Sequence, residues 1–188
     1  MTGSVELVFE THSLTTDNER GVATGWLGGT LSGRGRELAG ELGERRREDG
    51  VDAVFTSDLS RAVETAEIAF AGAAIPVVLD WRLREVDYGE LNGAPVDVVE
   101  RERPLRVDEP FPGGESYRDA VARVEELLDG LLVERPGQRI LLIGHTATRW
   151  ALDHLLGGEP LERLVVEPFA WREGWEYGPR REFASASR

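Results

Sequence analysis

The chain has 188 residues, no cysteine and a formal net charge of −13. That length suits one domain around one core, and the missing thiols exclude a disulfide framework or a thiolate metal site. The acidity disfavours a nucleic-acid partner, because phosphate backbones require a basic face, and any anionic substrate would need a local positive focus inside an acidic shell.

Taken in order, Val5 to Phe9 reads as a strand and Asp17 to Thr30 as a polar, glycine-rich loop. Leu31 to Arg47 is an expected helix, with Ser32 as its cap and Leu38, Ala39 and Leu42 on its apolar side. Ala53 to Phe55 is the second strand, and Asp58 to Phe70 a helix with Leu59, Ala62, Val63, Ala66 and Phe70 on one face. Ile75 to Leu79 is a third strand, followed by a long irregular excursion from Arg82 to Pro112. Loops of that length are functional or contain short helices of their own. Ser116 to Val133 carries the clearest amphipathic spacing. Ile140 to Ile143 is a buried-type strand, and Thr146 to Leu156 a helix closed by Gly157 and Gly158. Phe169 to Tyr177 reads as an edge strand whose aromatic residues pack or line a crevice, and residues 180–188 as a frayed tail after a single domain spanning 1–179. Strands alternating with helices predict an α/β fold, a three-layer α/β/α sandwich around a mostly parallel sheet. No apolar run is long enough to span a membrane, and nothing at the N-terminus reads as a signal peptide. The expectation is a cytoplasmic protein without a membrane partner.

Three strands deliver a polar or basic residue just past their C-terminal ends: His12, then Thr56, Ser57 and Arg61, then His145. Ligands bind at that edge in open α/β sheets. A histidine alone at a strand end is often only a partly buried polar residue, but two in equivalent places point to a shared site. A neutral imidazole can attack phosphorus. Arg61, in the first turn of a helix, can grip phosphate oxygens; its bland alternative is a surface ion pair with Glu64 or Glu67. A metal site would need carboxylates such as Glu10, and no H-x-x-x-H spacing supports one.

The residues resemble the histidine phosphatase superfamily, the group that includes phosphoglycerate mutases. Thr11-His12-Ser13-Leu14-Thr15-Thr16-Asp17-Asn18 stands where that family has Arg-His-Gly-Glu-Thr-x-x-Asn. Thr24-Gly25-Trp26, Leu31 to Gly35, Thr56 to Ala66, Leu83-Arg84-Glu85, Tyr88 to Gly93, Pro112 to Ser116 and Gly144-His145-Thr146 follow in the family's order. The resemblance implies a phosphoglycerate mutase-like fold and a phosphatase acting on a small phosphorylated molecule through a phosphohistidine on His12, with no cofactor. It implies that Arg61 and His145 bind the equatorial oxygens, where transition-state charge is spread. Glu85 would protonate the leaving oxygen and then activate water; its bland alternative is a loop carboxylate paired with Arg82 or Arg84. Asn18, Thr24, Thr11 and Thr146 complete the expected phosphate-binding set.

The departures fall at the nucleophile. The family's arginine is Thr11 and its glycine is Ser13. Losing one charged donor costs on the order of 2.7–4 kcal/mol at a transition state, so a ligand-binding or regulatory module that keeps the fold without efficient catalysis is the alternative. Thr11 and Ser13 could instead enlarge the pocket. Arg20, Arg84 or Arg149 could replace the missing ligand. Glu10 stands where an apolar strand residue belongs, and a buried carboxylate needs a partner; Arg149, one turn after His145, is the expected one. Aromatic residues near the C-terminus would suit a homodimer contact.

Overall fold

The computed structural model describes residues 4–168 and 170–180. Five strands form the main sheet: β1 (Val5–Thr11), β3 (Ala53–Thr56), β4 (Val77–Leu79), β6 (Arg139–Gly144) and β7 (Trp175–Arg180). Their spatial order is β4-β3-β6-β1-β7. The first four run parallel, and β7 closes the β1 edge antiparallel.

The central strands are apolar on both faces, as a sheet covered on both sides requires. Side chains alternate between two cores. Val8, Val54, Leu141 and Ile143 face one core with Leu42, Ala62, Ala66 and Phe70. Those last four lie on α2 (Gly33–Arg46), on α3 (Ser60–Ala69) and just past its end. Leu7, Phe9, Phe55, Ile140 and Leu142 face the larger core, beneath α5 (Tyr117–Glu134) and α6 (Thr146–Gly157). The three layers expected from the alternation of elements are present.

Helix starts follow local chemistry. Ser32 and Ser116 cap α2 and α5 by accepting from the N–H groups of Gly35 and Asp119. Gly158 ends α6 at φ 72°, a left-handed cap that suits glycine. α3 begins at Ser60, two residues later than its sequence pattern suggests. The third strand is confined to Val77–Leu79.

The segment expected as a loop after His12 is not structureless. α1 (Thr16–Glu19) forms there because Thr15 and Asn18 make a reciprocal capping box. β2 (Val22–Ala23) then pairs with β5 (Ala94–Pro95) from the long excursion. That excursion also holds α4 (Val96–Glu102) and three short 3-10 turns; a further short helix, α7 (Leu161–Leu164), follows α6. The edge strand starts at Trp175, later than expected, and includes Arg180. Phe169 and residues 181–188 of the expected tail lie outside the described residues. No helix among the described residues is long and apolar enough to cross a membrane.

Candidate active site

The connection leaving β1 runs through α2 to β3 on one side, whereas the connection leaving β6 runs through α6 to β7 on the other. Adjacent strands whose helices depart to opposite faces open a crevice at their C-terminal ends. His12 and His145 follow directly on β1 and β6, and the strands are in register there, Thr11 opposite Gly144. The His12 N–H donates to the Gly144 carbonyl at 2.9 Å. The two imidazole rings are consequently 4.9 Å apart, tilted by 52°.

His12 Nδ1 lies 2.8 Å from the Ser13 carbonyl. A carbonyl only accepts, so Nδ1 carries the proton and Nε2 keeps its lone pair. Ser13 is itself anchored, its N–H donating to Thr65 Oγ1 at 3.0 Å, while the Thr65 hydroxyl donates to the Arg61 carbonyl. Burial, and then the Arg61 charge, hold the His12 pKa down at about 3. His145 is pushed well below the usual imidazole range by burial, with Arg61 and His12 adding to the effect. Both rings are neutral at neutral pH. His145 Nε2 is 2.9 Å from Ser57 Oγ, whereas its Nδ1 is buried without a protein partner.

Arg61, 3% exposed, does not pair with Glu64 or Glu67. Its guanidinium donates to the carbonyls of Gly25 at 2.8 Å and Leu27 at 3.2 Å, and Glu64 pairs with Arg36. Gly25 adopts φ 55°, and a Cβ there would lie 1.8 Å from Asn92 Oδ1; only glycine places this carbonyl under the guanidinium. Burial depresses the Arg61 pKa, with Glu85, Tyr88 and Asp17 opposing.

Glu85 is also buried and free of Arg82 and Arg84, which bind Asp80 and Asp58. Its Oε1 accepts from the N–H groups of Val86 and Ala147, at 2.9 and 3.1 Å. Ala147 is in the first turn of α6, so one contact couples Glu85 to the strand end that carries His145. The Glu85 backbone is clamped as well. Trp26 Nε1 donates to its carbonyl at 2.6 Å. Arg123, 5% exposed, donates to the carbonyls of Arg82, Arg84 and Glu85 while pairing with Glu115. Sequence reasoning passed over Arg123, although an arginine three residues after Ala120 and four before Leu127 lies on an apolar stripe, which is a signal in itself.

A cavity of about 420 Å³ opens beside the histidine pair and touches Thr11, His12, Asn18, His145 and Thr146. Arg61, Glu85 and Thr24 do not line it; the Thr24 hydroxyl donates to Asp17 Oδ2 at 3.1 Å, so it supports α1. Asn18 turns its Oδ1 back to Thr15.

Glu10 is 1% exposed, and its partner is not Arg149. It binds Arg46 at 2.9 Å and sits 3.6 Å from Arg45. Strand alternation explains the correction: Glu10 shares the Val8 face, covered by α2, whereas Arg149 on α6 lies across the sheet, bound to Asp153 and Tyr177. Burial nonetheless pushes Glu10 above the usual carboxylate range, with Arg46 and then Arg45 opposing. Nor does the site recruit the expected substitutes for Arg at position 11. Arg84 binds Asp58 and stacks on Trp26, and Arg20 is exposed at the end of α1. The arginine that does line the cavity is Arg45. Of the C-terminal aromatic residues, Trp175 packs on Phe9 in the core, and Trp171 lines the cavity. Among the described residues, no group of three or more His, Asp or Glu is arranged to hold a metal ion.

A family model described as the histidine phosphatase superfamily (branch 1) matches residues 7–169. A Salmonella typhi protein named "Probable phosphoglycerate mutase GpmB" is 35% identical over 123 residues, which cover 61% of this chain and 57% of that protein. The match thus spans little more than half the length of such curated relatives. Among solved structures, Bacillus stearothermophilus YhfR superposes with a TM-score of 0.82 at 26% identity, covering 96% of this chain and 95% of that one. A mycobacterial glucosyl-3-phosphoglycerate phosphatase superposes with a TM-score of 0.74 at 25% identity, covering 86% and 84%.

Proposed function

Because this chain belongs to the histidine phosphatase superfamily, we propose that it hydrolyses a small phosphomonoester without a metal ion, through a phosphohistidine on Nε2 of His12. The observation that carries this reading is the hydrogen bond between His12 Nδ1 and the Ser13 carbonyl. It fixes the tautomer that an imidazole nucleophile requires, and a depressed pKa keeps that imidazole neutral.

In the first step the Nε2 lone pair of His12 forms a bond to phosphorus as the ester P–O bond breaks. Glu85 gives its proton to the departing oxygen, releasing an alcohol. In the second step water attacks phosphorus, its proton returns to Glu85, and the P–N bond breaks to release phosphate. Arg61, held by two backbone carbonyls, has N–H groups left for the equatorial oxygens. Ser57, donating to His145 Nε2, would leave a proton on the partnerless Nδ1 of His145, and a phosphoryl oxygen would satisfy it. Thr11, Asn18 and Thr146 supply neutral groups around the cavity beside the histidine pair. Hydrolysis is preferred over transfer to a second substrate because the cover between Gly93 and Pro112 is built only of β5, α4 and a short turn.

One observation favours the rival reading of an impaired binding module. Thr11 offers a neutral hydroxyl beside His12 where the family pattern has an arginine. Phosphate release from a panel of phosphomonoesters in the presence of EDTA separates the two readings, comparing wild type, His12→Ala and Thr11→Arg. Release that requires His12, with an acid-labile phosphoprotein, supports hydrolysis. Release that appears only in Thr11→Arg supports the binding module.

A further inference from the structure

The His12 tautomer depends on one acceptor, the Ser13 carbonyl, which makes no other hydrogen bond among the described residues. The direction of that carbonyl is therefore set by how the chain on either side of it is held. On the far side the Leu14 carbonyl accepts from the Ser32 N–H at 3.0 Å. Gly35 packs against the same carbonyl so closely that a Cβ there would lie 1.8 Å away. On the near side the Ser13 N–H donates to Thr65 Oγ1 at 3.0 Å. The first anchor joins backbone to backbone, whereas the second rests on a single hydroxyl.

Thr65 is suited to that task by its place in α3. Its hydroxyl donates to the Arg61 carbonyl one turn earlier, at 2.7 Å. That bond fixes the rotamer of a side chain already stiff at χ1 and uses the hydroxyl proton. Only lone pairs remain, so towards Ser13 the oxygen acts as an acceptor alone. Both residues are buried, Thr65 completely. Without the hydroxyl, the Ser13 N–H has no other acceptor among the described residues, and leaving a buried N–H unpaired is costly enough to turn its peptide toward another partner. The same turn of α3 carries Arg61, so one hydroxyl ties the backbone of the phosphate-gripping arginine to the loop that aims the nucleophile.

We infer that Thr65 is a positioning residue, which acts through Ser13 to hold His12 with its proton on Nδ1 and its Nε2 lone pair free. The kinetic consequence rests on the phosphatase reading; the tautomer does not. Once the Ser13 carbonyl turns away, nothing else described bonds His12 Nδ1, and the proton is free to move to Nε2. A ring protonated there has no lone pair for phosphorus. If Thr65 only filled space, valine, which has nearly the same shape, would serve as well.

The test compares wild type, Thr65→Val, Thr65→Ala and Thr65→Ser. The imidazole nitrogen chemical shifts of His12, read by NMR at neutral pH, report which nitrogen carries the proton; they need no turnover and come from folded chains alone. In wild type the proton is on Nδ1. In Thr65→Val and Thr65→Ala a second population carries it on Nε2. In both, kcat/KM for 4-nitrophenyl phosphate, which reports phosphorylation of His12, falls on the order of tenfold or more, while the inhibition constant of inorganic phosphate changes by less than about threefold. Thr65→Ser, which keeps the hydroxyl, restores the wild-type tautomer and most of the rate. An unaltered tautomer in Thr65→Val and Thr65→Ala overturns the inference, and so does an equal loss in Thr65→Ser. Failure of both hydroxyl-free variants to fold, with Thr65→Ser folded, would make Thr65 a structural residue and overturn it too. His12→Ala tests the phosphatase reading separately: without His12-dependent turnover in wild type that reading falls, and the tautomer measurement still decides the role of Thr65.

Discussion

The two flanks of the histidine pair are built differently. On the Glu85 flank, Arg61, Trp26, Arg123 and Ser57 each make a short contact to a backbone carbonyl or to the His145 ring. On the α2 flank, the lining is leucine and tryptophan, and the one cation, Arg45, makes no hydrogen bond shorter than 3.5 Å among the described residues. Preorganised donors serve a reacting group whose position is fixed. A cation held only at 3.6 Å or more, as Arg45 is from Glu10 and Glu173, fixes its surroundings less tightly. The contrast is one of rigidity on either side of the histidine pair.

The largest effect that would break this contrast is at the nucleophile. His12→Ala should reduce phosphate release on the order of 10⁴-fold or more, as removal of a covalent nucleophile does elsewhere, and should abolish the phosphoprotein; retained turnover would remove the chemistry from this flank altogether. Arg123→Met follows. It takes the Arg123 donor from the Arg82 and Arg84 carbonyls and the cation from Glu115, and breaking a buried ion pair costs about 3–5 kcal/mol. Urea unfolding should show that loss, and kcat should fall with it because the Glu85 loop loses its clamp. A variant of unchanged stability would mean the clamp is ornamental.

Glu10→Gln should cost less, about 1.5–3 kcal/mol by the usual value of a hydrogen bond to a charged group, since Arg46 retains Asp49 at 2.8 Å. The same unfolding curves read it, and a loss as large as that of Arg123→Met would show the α2 flank to be no looser than the other. The smallest expectation is an absence. With a pKa of about 3, the His12 ring should not titrate between pH 8 and 5, which imidazole chemical shifts in an NMR titration will show. The linkage has a definite sign. The unfolded chain takes up this proton near pH 6.5 and the folded chain only near 3, so stability falls as pH drops through that window, and His12→Gln should flatten the slope.

Much of this arrangement was legible before any coordinates. His12 and His145 were readable as a pair because each ends an apolar strand, and Ser32 and Ser116 because capping is local. Glu10 shows where reading stopped. Its burial followed from its place in the strand, but its partner depended on which helix covers the Val8 face, and that depends on strand order. Thr24 differs in the opposite way: its motif was recognised, but the bond of its hydroxyl to Asp17 of α1, a four-residue helix made by a capping box, was not legible in the sequence. Arg45 gave no local signal, since an arginine near the end of a helix ordinarily serves the helix dipole.

The position of β1 in the sheet has a consequence for how the protein is made. The strand that carries His12 is synthesised well before its neighbours β6 and β7, Glu6 meeting Arg139 across 133 positions. At 5–20 residues per second, β1 leaves the ribosome roughly 7–27 s before a partner strand exists. Val8 and Phe9, fully buried in the finished sheet, therefore spend that interval as an apolar segment without its partner strands. Closing so long a loop also slows refolding. The histidine pair is thus completed late, when β6 arrives, and a chain released before then holds His12 without His145 beside it.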